Sequence, residues 1–109
     1  MSALEVLIRA RGFIERGWAK YEYAFNDKGH PVEPNAPEAT CWCSFGALRA
    51  ACGLGAEPYE QPPPKEYLDA LGVVIWMVDY SLDGWNDEEG RTKEEVLALF
   101  DDAIEKAQS

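Results

Sequence analysis

Residues 92–107, TKEEVLALFDDAIEKA, decide the fold class. Thr92 followed three places later by Glu95 is the reciprocal capping pattern of a helix start. Val96, Leu99, Phe100, Ala103 and Ala107 then recur at spacings of three and four, which lines one face of a 3.6-residue period. A helix with one apolar stripe must bury it against other elements, so the rest of the chain has to supply them.

Working outward, Ser2 and Glu5 repeat the capping pattern at the other end of the chain. Leu4, Leu7, Ile8 and Ile14 follow at helical spacing until Gly17, which predicts a first helix over roughly 2–16. Tyr21, Tyr23 and Phe25 alternate at a spacing of two, and the turn formers Asn26 to Gly29 lead into His30, Pro31 and Val32. This pattern suits a short hairpin, although Pro31 lacks a ladder donor and makes an extended loop edge an equal alternative for its second arm. Pro37 fits the first turn of a second helix running to Cys52 and stopped by Gly53.

Residues 53–64, with two glycines and four prolines, read as an ordered connection. From Pro64 to about Leu82 the chain is apolar on nearly every helical side, through Tyr67, Leu68, Leu71, Val73, Val74, Ile75, Trp76, Met77 and Val78. All-round apolarity is the mark of a buried helix, so this third helix is expected to be the most buried element, with its Val-Val-Ile run also compatible with a strand. A loop from Asp83 to Arg91 precedes the final helix. The expected architecture is mainly α: one compact helical domain over 1–109, a small four-helix bundle-like arrangement with a short β-hairpin appended between the first two helices.

Four tryptophans, five tyrosines and four phenylalanines supply enough buried area for one core without a disulfide or metal staple. The longest apolar run, Leu71 to Val78, is far short of the roughly 20 residues of a membrane span, and no segment has the make-up of a signal peptide. Three cysteines make an odd count, which suits free thiols in a reducing cytoplasm. Ten basic residues against twenty acidic ones give a formal charge of −10, which repels nucleic acid and anionic lipid alike. The charge is uneven: residues 79–109 hold ten acidic and three basic side chains, whereas residues 1–30 hold four and five.

Three groups of residues invite a chemical reading. Cys41, Cys43 and Cys52, with His30, resemble a zinc set in type but not in spacing. On a regular second helix Cys41 and Cys43 would also point about 200° apart, and Cys41 and Cys52 would lie about 16 Å apart along the axis. The thiols are better read as packing, with Cys43 beside Gly46, Ala47 and Ala50 on a small-residue face that another helix can approach. A nucleophilic Cys43 would need a depressed pKa and a neighbouring base.

Asp79, Ser81, Asp83, Gly84, Trp85 and Asp87 approximate the first nine places of a calcium loop, but Gly90 stands where the bidentate glutamate belongs. The bland account of the same segment uses more residues: Asn86 and Asp87 satisfy turn donors, Gly90 takes positive φ, Trp85 anchors the loop and Arg91 pairs with an acid. Adjacent acids at Asp87 to Glu89, at Glu94 and Glu95, and at Asp101 and Asp102 read as solvated faces. Neither a metal nor a cofactor is expected, and no catalytic constellation emerges.

Gly29, the WCxxGAL block of Trp42, Cys43, Gly46, Ala47 and Leu48, and the WNDxxGRTxxEV block of Trp85, Asn86, Asp87, Gly90, Arg91, Thr92, Glu95 and Val96 together resemble the small domain-of-unknown-function family numbered 6197. That resemblance implies a small intracellular protein of bacteria and their phages or other mobile elements, with no known substrate, cofactor or catalytic residue.

Two functions compete. One is a non-enzymatic binding or regulatory module whose acidic surface, Glu88, Glu89, Glu94 and Glu95, engages a protein partner with a basic surface. The other is a small-ligand-binding protein or enzyme with a pocket built from Trp42, Cys43, Trp85, Asn86, Asp87 and Arg91, which requires the two tryptophan blocks to meet. A calcium-responsive or homo-oligomeric structural role is a third possibility.

Overall fold

The computed structural model describes residues 1–56 and 62–109. Helices α1 (Ala3–Arg16), α2 (Ser44–Ala51), α3 (Lys65–Trp76), α4 (Leu82–Asp87) and α5 (Lys93–Gln108) surround one cluster of buried side chains. A two-stranded antiparallel ribbon, β1 (Ala24–Phe25) and β2 (Cys41–Trp42), lies between α1 and α2 in the chain, with Ala24 opposite Trp42 and Phe25 opposite Cys41. The protein is mainly α, with five helices among the described residues where four were expected: α4 occupies most of the first half of the segment read as a loop.

Both capping boxes form. Ser2 accepts from the Glu5 amide at 3.2 Å and Thr92 from the Glu95 amide at 3.2 Å, with each glutamate returning to the cap's own N–H. On α5 the stripe Val96, Leu99, Phe100 and Ala103 is buried as the spacing predicts. On α1 the buried face is Val6, Leu7, Ala10 and Ile14, and Ile8 is half exposed. The true stripe is rotated from the one expected because it includes an alanine, which adds little to a hydrophobic pattern but lets a neighbour approach closely. α1 is the central element, packing against α2, α3 and α5.

α3 is shorter and less central than expected. Tyr67, Ala70 and Val74 face the core, while Leu68, Ile75 and Trp76 stand in solvent. The second helix also starts later than Pro37: Cys41 and Trp42 are strand and Cys43 is the cap of α2. The helical argument separating the cysteines therefore does not apply, although among the described residues no group of three metal-ligating side chains is assembled. Part of the proline-rich connection, residues 57–61, lies outside the described residues.

The ribbon's second strand is β2, not His30–Val32. Residues 30–32 form the extended loop edge that was the equal alternative: Pro31 makes an isolated antiparallel bridge to Phe25, flanked by Asn26 N–H donating to the His30 carbonyl at 2.9 Å and Val32 N–H to the Ala24 carbonyl at 3.0 Å. β2 is paired on its other edge too: Trp42 N–H donates to Gly17 O and Ala19 N–H to Trp42 O, both at 2.9 Å. This close pairing explains Gly17, where a Cβ would fall 2.3 Å from the Thr40 carbonyl. Gly46 answers a similar demand, since its Cβ would meet the Tyr23 carbonyl at 1.9 Å. The small-residue face at Gly46 thus admits the backbone leading into β1, not another helix. Among the described residues no helix is long and apolar enough to cross a membrane.

Candidate functional site

Ser81 starts α4 by accepting from the Gly84 amide, and the short helix buries Leu82 and Asn86. Asn86 is fully buried, and its amide is used completely. Its Oδ1 accepts from Trp18 Nε1 at 2.9 Å, Ser44 N–H at 3.0 Å and Ser44 Oγ at 2.7 Å. Its Nδ2 donates to the Ala19 carbonyl at 3.0 Å and to Asp87 Oδ1 at 2.9 Å. One side chain thereby joins the segment after α1, the first turn of α2 and α4, and through Ser44 it brings the two tryptophan blocks together.

Asp87 Oδ1 accepts a further bond from the Tyr21 N–H at 3.0 Å. Tyr21 has φ +80°, a left-handed backbone that costs a non-glycine residue about 1–3 kcal/mol. The Asp87 carboxylate holds this turn in place, and the Tyr21 side chain projects into solvent beside it.

Tyr21, Glu22, Tyr23, Cys43, Asp83 and Asp87 line a cavity of about 290 Å³ between the α1–β1 connection and α4. It lies at the small end of ligand sites, suited to one side chain or a small molecule. Of the six described residues that line it, three are carboxylates, two are tyrosines and none is basic.

Cys43 forms the inner part of this wall. Its Sγ accepts from the Gly46 N–H at 3.3 Å as the cap of α2. Burial, with the Asp87 and Asp83 carboxylates nearby, pushes its pKa from 9.0 up to about 11, against the lowering effect of the Gly46 and Phe45 amides. At neutral pH it is a thiol, the opposite of what nucleophilic use demands. His30 is exposed in the turn after β1 and is not part of the cavity lining.

The remaining residues singled out from the sequence lie elsewhere. Trp42, the strand neighbour of Cys43, points the other way: its Nε1 donates to the Pro34 carbonyl at 2.9 Å and its ring packs 4.7 Å from that of Phe13. Trp85 is half-buried under the Arg91 guanidinium, which lies 3.9 Å from a ring centroid of Trp85. Arg91 also donates to the Trp85 carbonyl at 2.9 Å, to Glu95 at 3.1 Å and to Glu88 at 2.6 Å. It is a brace between α4 and α5.

Half of the acidic surface is therefore committed within the chain. Glu88 pairs with Arg91 and accepts from the Tyr80 hydroxyl, and Glu95 completes the α5 cap. Hydrogen bonds from the Thr92 amide and then its hydroxyl, with Arg91 beside them, pull the Glu95 pKa below the ordinary carboxylate range. Glu89 and Glu94 are exposed and make no ion pair among the described residues. The calcium near-match is not a loop, because α4 runs through Asp83 to Asp87.

Tyr21, Glu22 and Tyr23 were not among the residues expected at the site, and Asp83 was weighed only as one place of the calcium near-match. Tyr21 and Tyr23 carry the alternation of a strand, and nothing in their composition announces the positive φ that turns Tyr21 to the cavity mouth.

Comparison with curated proteins and with solved structures finds no match to this chain. A family model does match, over residues 1–106, and it spans both tryptophan blocks and every residue of the cavity. The chain belongs to the Family of unknown function (DUF6197).

Proposed function

We propose that the protein is a non-catalytic binding module that receives a basic side chain of a protein partner in the cavity formed by Tyr21, Glu22, Tyr23, Cys43, Asp83 and Asp87. The observation that carries this reading is the lining itself: three carboxylates and two tyrosines with no basic residue among them. A lysine or arginine entering there gains carboxylate partners together with aromatic faces that attract a cation. The net charge of −10 adds long-range steering toward a basic surface, and the exposed Glu89 and Glu94 extend the acidic field beyond α4.

Cytoplasmic residence and a bacterial or phage source belong to the same proposal. Cys41, Cys43 and Cys52 are free thiols, which suits a reducing compartment.

The test is calorimetric titration with an arginine- and lysine-rich peptide, its charge-neutral counterpart and a small primary amine. The variant carries Glu22→Gln and Asp83→Asn, which removes two cavity charges and leaves the Asp87 contacts to Tyr21 and Asn86 in place. Binding of the basic peptide that weakens about tenfold or more in the variant supports the proposal. Tight binding of the amine alone moves the reading to a small cationic ligand, and equal binding by both forms overturns it.

A further inference from the structure

Trp42 and Cys43 are neighbours on extended backbone, so their side chains leave it on opposite sides. Cys43 faces the acidic cavity. Trp42 faces a second pocket, of about 280 Å³, between the end of α1, residues 34–39 and α2. Phe13, Arg16, Pro34, Pro37 and Ala39 line it together with Trp42, and it shares no residue with the acidic cavity. The electrostatics of the two are opposite: among the described residues that line the second pocket, Arg16 is the only charged one.

The fold holds the walls of this pocket in place. The Trp42 indole is tied to the Pro34 carbonyl at 2.9 Å and braced by the Phe13 ring. Asn35 Nδ2 donates to the Gly53 carbonyl at 3.2 Å, which pins the segment between Pro34 and Pro37 to the residues just past α2. The two prolines restrict that segment further. Alanine or glycine stands where α2 and the turn after it border the pocket, at Ala50 and Gly53, so the space stays open. A site formed in advance loses less entropy when a ligand arrives.

Arg16 is the group that the fold does not use up. Its guanidinium carbon lies 4.4 Å from the Phe13 ring centroid and 5.4 Å from that of Trp42. Contact with a ring engages the face of a guanidinium and leaves its N–H groups, which lie in the plane, able to donate. Among the described residues Arg16 forms no ion pair, and the adjacent Glu15 is taken by Arg11 at 2.8 Å. A cation in the last turn of a helix is ordinary. A guanidinium held over two rings at the mouth of a pocket, with its donors open, is also the arrangement that receives a carboxylate in two parallel hydrogen bonds.

The rest of the pocket selects what the carboxylate is attached to. Trp42, Phe13 and the two prolines offer flat apolar surface, and a cavity of about 150 Å³ already admits a benzene ring. A phosphate or polyanion would find one cation in a chain of net charge −10, whereas a single carboxylate is balanced by Arg16 while its apolar body is buried. We propose that this pocket binds a small aromatic monocarboxylate, with the carboxylate on the edge of the Arg16 guanidinium and the ring between Trp42 and residues 34–37. The site is independent of the cation-binding reading of the acidic cavity.

Two-dimensional NMR of the isotope-labelled chain, titrated with benzoate, phenylacetate and naphthylacetate, tests the proposal, with their neutral amides and acetate as controls. At least one aromatic acid is expected to shift the Trp42 indole N–H and the amides of Asn35, Ala36 and Ala39 saturably. The matching amide should bind about tenfold or more weakly, and Arg16→Gln should weaken the acid by a similar factor, the scale of hydrogen bonds to a charged group. Ala50→Leu fills the pocket and should abolish the shifts. Should that variant misfold, Arg16→Gln, at an exposed position, decides the matter. Three results overturn the proposal: no aromatic acid moves these resonances, acid and amide bind equally in wild type and Arg16→Gln, or acetate binds as tightly as the aromatic acids.

Discussion

The Asn86 side chain accepts the Ser44 hydroxyl at 2.7 Å, and both residues are wholly buried. This bond joins the two tryptophan blocks across 42 positions of chain. Replacing Asn86 by alanine strands the Ser44 amide and hydroxyl, the Trp18 indole N–H and the Ala19 carbonyl. A buried polar group without a partner costs about 1–3 kcal/mol, so Asn86→Ala is expected to lose at least ~3 kcal/mol in a urea titration. A loss below ~1 kcal/mol would show that water replaces the amide.

Two glycines should respond in opposite directions. Gly46→Ala drives a methyl to 1.9 Å from the Tyr23 carbonyl, so the β1 approach must open, at a cost of about 3 kcal/mol or more. Gly12→Ala, in the middle of α1 with nothing within 4 Å of the new methyl, is expected to stabilise the chain by about 0.5–1 kcal/mol. Both are read as shifts of the urea midpoint.

Cys43 links stability to alkaline pH. Its folded pKa, about 11, lies above the 9.0 expected of an open thiol, so the neutral form is favoured by folding. That contribution is complete below pH ~9 and is lost as the pH rises toward ~11, a change on the order of 2 kcal/mol. Cys43→Ser keeps a capping side chain and removes the thiol titration. The wild-type-minus-variant stability difference should therefore fall across this window, and a flat difference would refute the assignment.

Glu95 gives the opposite sign at the acid end. Its folded pKa is lowered by the Thr92 amide and hydroxyl, so its contribution is present above the ordinary glutamate range and disappears as the pH falls through the folded value. Glu95→Gln preserves the capping geometry without the charge, so its melting temperature should drop less on acidification than the wild type's. Thr92→Ala removes the cap itself and should cost about 1 kcal/mol.

Tyr21 sets stability against binding. Tyr21→Gly relieves the left-handed strain at φ +80° and is expected to gain up to about 1 kcal/mol. The same change removes an aromatic wall of the cavity and should weaken the basic peptide in the calorimetric titration. A variant that is both more stable and equally tight would place the cation elsewhere.

Local signals made the helices at both ends legible, because a capping box and an amphipathic stripe are contained within the segments that use them. The middle was harder for a physical reason. The start of α2 is delayed from Pro37 to Ser44 because Cys41 and Trp42 are claimed by Gly17, Ala19 and β1, partners that are distant in the chain. α3 misled in a different way: its all-round apolarity was read as burial in its own fold, whereas its outer stripe remains in solvent. For the site, Cys43 and Asp87 were visible as members of two motif blocks, but Glu22 and the tyrosines enter through a backbone turn that composition does not encode. Trp42 and Arg91 were singled out for their chemistry and turn out to brace the fold.

The Asn86 junction also bears on how the chain is made. Its amide ties residues 18 and 19 to residue 44 and to α4, so the surroundings of the cavity depend on segments that leave the ribosome far apart in time. Contacts of such separation form late in folding, after local helices have appeared. While residues beyond 80 are still being synthesised, Trp18 and the first turn of α2 lack their common partner, and the acidic recess does not exist. The recess is thus completed in one late step, after most of the chain has emerged.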